Sequence, residues 1–234
     1  MRWRNKWSEV VMAALFVIGG PISAYAQSEY WQQRVSLFEL LPIGEDDIVF
    51  LGNSITDGGE FSEMFGMPGI KNRGISSDIV GGVEKRLYQV VGGRPRKIFL
   101  LIGINDVSHA LSAETIAGDY ERLVERIRRE SPSTELYVQS VMPINNDFGR
   151  YRNLKGREKV IPQLNSLLCD IAARHGATYI DLWPALADPA TGKLRREFTN
   201  DGLHLTGKGY KAWTGAIQEY VVDDSMIESS KKAK

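Results

Sequence analysis

Two short polar stretches of the chain hold side chains that together could hydrolyse an ester. Ser54 lies in "FLGNSITDGG", just after an apolar run that ends at Gly52. Asp201 and His204 lie three residues apart in "NDGLHLTGKGY". A serine becomes a nucleophile when a histidine takes its proton, and a carboxylate bonded to the other ring nitrogen orients that histidine. These residue types therefore allow a Ser–His–Asp site for acyl transfer.

Two further stretches contain groups that could stabilise the oxyanion of such a reaction. Asn105 in "LIGINDVSH" carries a neutral, directional amide donor, and Gly74 in "NRGISSD" leaves its backbone N–H unobstructed. Each residue also has a structural explanation. Serine, glycine and asparagine are ordinary turn residues, and Asp201 suits the cap of a helix. No single stretch decides between the two explanations.

The elements that must position these residues follow from the apolar pattern. Five short apolar runs predict buried strands at Ile48–Leu51, Gly69–Asn72, Lys97–Ile102, Leu136–Val141 and Thr178–Asp181. Helical spacing predicts four helices between and after them, at Asp78–Val91, Ser112–Glu130, Glu158–His175 and Gly207–Val222. Alternating strands and helices of this length predict a parallel sheet covered on both faces. The polar stretches then meet at the carboxyl edge of that sheet, where ligands bind.

Taken in order, the four stretches resemble the four sequence blocks of the SGNH hydrolases. This family is also called the GDSL-type esterases and lipases, and it takes its name from one residue in each block. The matching residues are Ser54, Gly74, Asn105 and His204. The resemblance covers about residues 48–222. It implies an α/β fold, a flavodoxin-like three-layer α/β/α sandwich with a five-stranded parallel sheet.

The resemblance also implies a role for each matching residue. Ser54 would be the nucleophile and would donate its own backbone N–H to the oxyanion. The Gly74 N–H and the Asn105 side chain would be the other oxyanion donors. His204 would be the base, with Asp201 orienting it.

One residue departs from the family pattern, and three are possible substrate contacts. Asn53 stands where the family usually has Asp. Thr56 stands where the G-x-S-x-G elbow of the α/β-hydrolases would have its final glycine, which excludes that elbow. Asn53, His109 and Asn145 are the predicted possible contacts; Asn145 lies in a long irregular stretch, Pro143–Arg157, that either contributes to the pocket or is a solvated basic loop.

The two ends of the chain are predicted to lie outside the folded domain. Residues 1–26 combine basic residues, the apolar run Val10–Ile18 and a small-x-small site, which is the pattern of a secretory signal peptide. An uncleaved membrane anchor is the alternative. We expect one hydrolase domain at 27–224, with no stable membrane insertion after cleavage, and a disordered tail at 225–234.

Composition limits the partners and cofactors. The whole chain has 29 basic and 29 acidic residues, and removal of the leader leaves a net charge of about −2, which gives no support to a nucleic-acid partner. Cys169, the only cysteine, excludes an intrachain disulfide and is predicted to be a buried small side chain. No H-E-x-x-H motif or Cys/His cluster indicates a metal, and no cofactor is expected.

These observations predict a secreted or periplasmic serine esterase. We expect short acyl groups, acetyl above all, on a carbohydrate carrier, because no long apolar insertion separates the blocks and some relatives of this kind deacetylate sugars. A lysophospholipase or an enzyme like platelet-activating-factor acetylhydrolase is the alternative. A non-catalytic carbohydrate-binding protein on a hydrolase scaffold is an alternative of another class.

Overall fold

The computed structural model describes residues 28–222, and the predicted signal peptide and the predicted tail lie outside them. Five parallel strands form one sheet in the order β2-β1-β3-β4-β5. They are β1 (Ile48–Gly52), β2 (Ile70–Gly74), β3 (Lys97–Leu101), β4 (Glu135–Gln139) and β5 (Thr178–Ile180). The predicted sheet is therefore confirmed, with strand ends that move by one or two residues.

Ten α-helices accompany the sheet in the described part of the chain. They are α1 (Glu29–Glu39), α2 (Ser54–Asp57), α3 (Phe61–Phe65), α4 (Val80–Lys85), α5 (Tyr88–Val91), α6 (Ile104–Ser108), α7 (Ala113–Glu130), α8 (Val160–Arg174), α9 (Trp183–Leu186) and α10 (Gly207–Val221). Helices α4, α7 and α8 pack in one group, and α3, α9 and α10 pack in another. The predicted α/β class and layered architecture are confirmed.

Aromatic rings from neighbouring strands form the surface on which α10 packs. Phe50 and Phe99 stack at 5.0 Å between ring centroids, and Phe99 stacks on Tyr137 at 4.5 Å. These residues are paired in the strand register of β1, β3 and β4. Trp213 of α10 meets Phe50 edge-on and donates its indole N–H to Gln139 Oε1 at 2.7 Å. A buried polar bond within an apolar contact fixes the register of α10 on the sheet.

Gly52 allows the chain to turn sharply from β1 into α2. A Cβ at this position would lie 2.3 Å from both the Leu101 carbonyl oxygen and Thr56 Oγ1. Only glycine fits between the neighbouring strand and the first turn of the helix. The first residue of α2 is therefore held directly above the end of β1.

Two predictions from sequence are wrong in detail. The single helix expected at Asp78–Val91 is interrupted between α4 and α5, because Arg86 turns into the interior. Cys169 is exposed, since the buried face of α8 is formed by Leu164, Leu168 and Ala172. The helices of four or five residues were not predicted, because such short segments carry too little periodicity. Helix α1, which has 11 residues, was not predicted either.

A buried arginine joins the ends of two strands. Arg86 is 1% exposed and donates Nε–H to Asp78 Oδ2 at 2.8 Å. Its two terminal nitrogens donate to the Arg73 carbonyl at 2.9 Å and to the Gly52 carbonyl at 3.0 Å. All three guanidinium nitrogens of Arg86 thus donate to groups at the carboxyl ends of β1 and β2 or in the loop that follows β2.

Replacing Arg86 with methionine is expected to lower the free energy of unfolding by about 3–5 kcal/mol, because it leaves Asp78 buried and unpaired. Denaturant unfolding measures the change. Arg129, which is 67% exposed on α7, provides the control, and Arg129→Met should change stability by about 0.5 kcal/mol or less. Equal, small losses in the two variants would contradict the proposed importance of this ion pair.

Candidate active site

Ser54 is the first residue of α2 and is half-buried at the end of β1. Asn53 caps this helix, because its Oδ1 accepts the N–H of Ile55 at 3.0 Å. The first N–H groups of a helix have no partner within the helix. Because α2 begins where β1 ends, the Ser54 hydroxyl and backbone N–H lie at the carboxyl edge of the sheet.

The structure brings Ser54, His204 and Asp201 into one chain of hydrogen bonds. His204 Nε2 lies 2.9 Å from Ser54 Oγ, although the two residues are 150 positions apart. His204 Nδ1 lies 2.8 Å from Asp201 Oδ2. This is the geometry in which an imidazole accepts a proton from a serine while a carboxylate holds its other nitrogen.

Asp201 is fixed from several directions. Its Oδ1 accepts the backbone N–H groups of Leu203 at 2.9 Å and His204 at 2.8 Å. Burial on its own raises the pKa of Asp201, but hydrogen bonds from the His204 ring, these backbone groups and the Tyr151 hydroxyl bring it down to about 2. Asp201 therefore stays ionised at every pH at which an esterase is assayed.

Helix α10 sets the position of the Asp201–His204 segment, which directly precedes it. Thr199 and Leu205 form an isolated antiparallel bridge across the turn. The Tyr210 hydroxyl donates to the Ile55 carbonyl of α2 at 2.8 Å. Because α10 is docked on the sheet and bonded to α2, His204 and Ser54 are held against each other.

Asn105 lies on the other side of Ser54, at the start of α6. Gly103 caps this helix with φ +127°, a conformation that favours glycine. One amide hydrogen of Asn105 Nδ2 donates to the Asp78 carbonyl at 2.8 Å. The side chain has a second amide hydrogen, and Asn105 lines the same cleft as Ser54. That hydrogen is available to an oxyanion.

Gly74 is not placed where the sequence predicted. It ends β2, and its N–H donates to Asn72 Oδ1 at 2.8 Å. Its Cα faces Asp57, since a Cβ there would lie 2.1 Å from the Asp57 backbone nitrogen. Gly74 is absent from the residues that line the cleft of the described chain, so the structure does not support it as an oxyanion donor.

Ser77, three residues further on, lies where the sequence had placed Gly74. It lines the cleft with Ser54 and Asn105. Its φ of +65° is left-handed, which costs a non-glycine residue on the order of 1 kcal/mol. Its N–H has no acceptor among the described residues. Residues with backbone angles in sparsely populated regions cluster at functional sites.

The cleft around Ser54 has a volume of about 580 Å³, and most of the residues that line it have polar side chains. The side chains come from the loops that follow β1, β2, β3 and β4 and from the segment before α10. They are Ser54, Ser76, Ser77, Asn105, Ser108, Arg150, Tyr151, Arg152, Asn153, Leu154, Leu203 and His204.

None of the three predicted substrate contacts lines this cleft. Asn53 is fully buried as the cap of α2. Asn145 is buried and donates to the Leu194 carbonyl at 2.9 Å, which ties its loop to the following segment. His109 caps the end of α6, and burial lowers its pKa. Asn53 and Asn145 are thus structural here, and His109 lies beside the cleft rather than in it.

Tyr151 is a site residue that the sequence did not indicate. Its hydroxyl lies 2.8 Å from Asp201 Oδ2 and 2.9 Å from His204 Nδ1. Burial, and then Asp201, raise the pKa of Tyr151 to about 12, so the hydroxyl keeps its proton. The stretch Pro143–Arg157 was flagged as a possible part of the pocket, but no motif singled out this tyrosine.

Within residues 28–222, one group of possible metal ligands lies away from the cleft, where α7 meets the end of α8. Glu121, Glu125 and His175 bring one ligand atom each within 4.8 Å of one another. Glu121 Oε1 already accepts from Arg174 at 2.7 Å and contacts His175 Nε2 at 3.0 Å. These ion pairs give the cluster a structural explanation, and it is not connected to the chemistry at Ser54.

The model of the GDSL-like Lipase/Acylhydrolase family matches residues 50–212, well over half of the chain. The chain belongs to this family. It is therefore a carboxylic ester hydrolase, as the sequence predicted. Its matched region contains Ser54, Asn105, Asp201 and His204, which the structure brings to one edge of the sheet.

Known acylhydrolases and related proteins are similar over most of the chain. The platelet-activating factor acetylhydrolase IB subunit alpha2 of Rattus norvegicus is 26% identical over 202 residues, which is 81% of each chain. The N-acylneuraminate cytidylyltransferase of Escherichia coli O18:K1:H7 is 26% identical over 183 residues, which cover 75% of this chain but only 40% of that protein.

Solved structures share the same fold. A Streptococcus pneumonia protein named for platelet activating factor matches with a TM-score of 0.73 and 28% identity, over 82% of this chain and 93% of that one. Axe2, an acetylxylan esterase from Geobacillus stearothermophilus, matches with a TM-score of 0.60 and 17% identity, over 77% and 97%. At that identity the second likeness shows the fold alone.

Replacing Tyr151 with phenylalanine is expected to lower kcat/KM of this acylhydrolase about tenfold or less, because the Asp201 carboxylate loses one hydrogen bond and orients His204 less firmly. Hydrolysis of one model ester by the wild type and the variant measures the change.

Tyr88→Phe is the matched control and should leave kcat/KM unchanged, because Tyr88 is half-exposed, donates to Glu39 in α1 and does not line the cleft. A Tyr151→Phe variant that keeps the kcat/KM of the wild type would show that Tyr151 does not act on the Asp201–His204 pair.

Proposed function

We propose that this acylhydrolase is a serine esterase in which Ser54 is the nucleophile, His204 the base and Asp201 the group that orients His204. One observation carries the proposal: Ser54 Oγ, the His204 ring and Asp201 Oδ2 form a continuous chain with contacts of 2.9 Å and 2.8 Å. A non-catalytic binding protein would not need this chain to be intact.

The geometry supports a two-step reaction. Ser54 Oγ attacks the carbonyl carbon of the ester, and its proton passes to His204 Nε2. The C–O bond to the alcohol then breaks, and the alcohol leaves with the proton from His204. Water loses a proton to His204, attacks the acyl-enzyme and releases the carboxylic acid, which restores the Ser54 hydroxyl. Asp201 stabilises the imidazolium in both steps.

Three donors are positioned for the oxyanion of each tetrahedral intermediate. They are the backbone N–H of Ser54, the second amide hydrogen of Asn105 and the backbone N–H of Ser77. Ser77 replaces Gly74 in this proposal, because the Gly74 N–H is bonded to Asn72 Oδ1. Pre-placed donors of this kind contribute about 3–4 kcal/mol each to transition-state stabilisation.

We infer that the acyl group is short, with acetyl the first choice, and that the alcohol part is a carbohydrate. Among the described residues that line the cleft, the only aliphatic ones are Leu154 and Leu203, and they are 2% and 6% exposed. The cleft therefore offers few exposed aliphatic side chains to a long acyl chain. Serine and asparagine side chains around it suit the hydroxyl groups of a sugar.

A lipid ester with a short acyl group is the second candidate. The observation that favours it is the similarity to the platelet-activating factor acetylhydrolase subunit over 81% of both chains. We also propose that the enzyme acts in the periplasm or outside the cell, on the strength of the leader pattern at residues 1–26. Within residues 28–222, no helix has the length and apolarity to cross a membrane.

Hydrolysis of a series of model esters tests the proposed substrate class. With one common alcohol, kcat/KM for the acetate should exceed kcat/KM for the octanoate by at least about tenfold, because few aliphatic side chains line the cleft and could pack against the longer chain. Ser54→Ala, prepared in parallel, should hydrolyse neither ester.

Two outcomes of the series would contradict the proposal in different ways. A preference for octanoate would reverse the assigned acyl length and favour a lipid substrate. Turnover that persists in clean preparations of Ser54→Ala would show that another residue is the nucleophile.

A further inference from the structure

The charged side chains at the cleft are all of one sign. Arg150 and Arg152 line it, on either side of Tyr151, and both are exposed. None of the residues lining this cleft in the described chain is an aspartate or glutamate. Asp201 lies behind His204 and is bonded to it. The chain after the predicted leader has a net charge of about −2. The positive charge at the cleft is therefore local and does not reflect the charge of the whole chain.

The two arginines are not used to hold their own loop. Neither guanidinium has a hydrogen bond or ion pair with another residue of the described chain. Arg157, in the same loop, reaches the Val107 carbonyl at 3.5 Å and the Leu111 carbonyl at 3.4 Å. Structural support of the loop therefore comes from Arg157, and the donors of Arg150 and Arg152 remain available to a ligand.

The loop brings this charge next to the reacting groups. The ring of Tyr151 lies 5.7 Å from the ring of His204, centroid to centroid. The charge of Arg150 is close enough to act on the Tyr151 hydroxyl, because it opposes the rise of the Tyr151 pKa that burial and Asp201 produce. Any alcohol part bound beside Ser54 and His204 comes within reach of this loop.

A second cavity continues the cleft beyond Arg152. It has a volume of about 500 Å³, and Tyr151 and Arg152 line both cavities. The carboxylates on its wall are already engaged, since Asp147 pairs with Lys193 at 2.7 Å and Glu158 accepts from Asn146. A negatively charged group that extends past the ester would meet both Arg152 and Lys155 there.

We propose that the alcohol part of the ester bears an anionic group, a carboxylate or a phosphate, that Arg150 and Arg152 bind. The inference rests on the proposed esterase function and adds the charge of the carrier to it. A planar guanidinium bonds either group with two parallel N–H donors. The two arginines are thus specificity residues for the carrier and take no part in acyl transfer.

Three acetylated sugars with the same ring, one neutral and two anionic, test the proposal: the O-acetyl esters of a methyl glucoside, a methyl glucuronoside and a glucoside phosphate. The wild-type enzyme should prefer both anionic esters to the neutral one by about tenfold in kcat/KM. In the Arg150→Gln/Arg152→Gln double variant this preference should disappear, mainly through KM, and added salt should weaken it in the wild type.

Two matched variants separate charge from packing. Arg150→Lys/Arg152→Lys should keep most of the preference, since it keeps the charge. Arg129→Gln, on the exposed face of α7 near the opposite edge of the sheet, should leave it unchanged. Equal kcat/KM for the neutral and anionic esters in the wild type, or a preference that survives in the double glutamine variant, would overturn the proposal.

A binding measurement distinguishes failure of this proposal from failure of the esterase function. Calorimetry follows the acetylated glucuronoside as it binds to Ser54→Ala, where no turnover is needed. Binding that weakens about tenfold when the two arginines are also replaced by glutamine supports the anion site, whatever the turnover. Binding that is unchanged by their replacement overturns it, even if the esterase function holds.

Discussion

The contact between His204 Nε2 and Ser54 Oγ, at 2.9 Å across 150 residues of sequence, is the constraint on which the site depends. Neither residue can adjust alone. Ser54 is fixed by the turn at Gly52, which has no room for a side chain. His204 is fixed by the docking of α10, whose Trp213 meets the Phe50 ring of β1 edge-on and donates to Gln139 of β4. The hydroxyl of Tyr210 joins α10 to α2 directly. Packing far from the chemistry therefore determines its geometry.

A second set of interactions holds the opposite side of the site. Asp78 is buried, pairs with Arg86, and accepts the indole N–H of Trp31 in α1 at 3.2 Å. Its carbonyl accepts an amide hydrogen of Asn105. The loop that carries Ser77 is thus attached to the sheet, to α1 and to the start of α6. Pre-organised donors are effective because they do not reorganise during the reaction, and this network is what fixes them.

Much of this arrangement could be predicted from the sequence, and the failures have physical causes. Buried parallel strands are continuous apolar runs, so the sheet could be found, and the blocks with Ser54, Asn105 and His204 follow from where strands end. The assignment of Gly74 failed because its N–H, which the sequence left unobstructed, donates to Asn72 Oδ1, while Ser77 reaches the cleft through a left-handed backbone conformation. The role of Tyr151 depends on how an irregular loop folds back on Asp201. No local pattern encodes such a contact.

Labelling with a fluorophosphonate, which reacts with a serine activated by a histidine, tests the central claim most directly. If Ser54 and His204 form the catalytic pair, we expect one adduct per chain, located by mass spectrometry on the peptide that contains Ser54. We expect no adduct in His204→Ala under the same conditions. Ser76, Ser77 and Ser108 line the same cleft and serve as internal controls. An adduct on one of them, or labelling of Ser54 that does not depend on His204, would contradict the claim that these two residues form the catalytic pair.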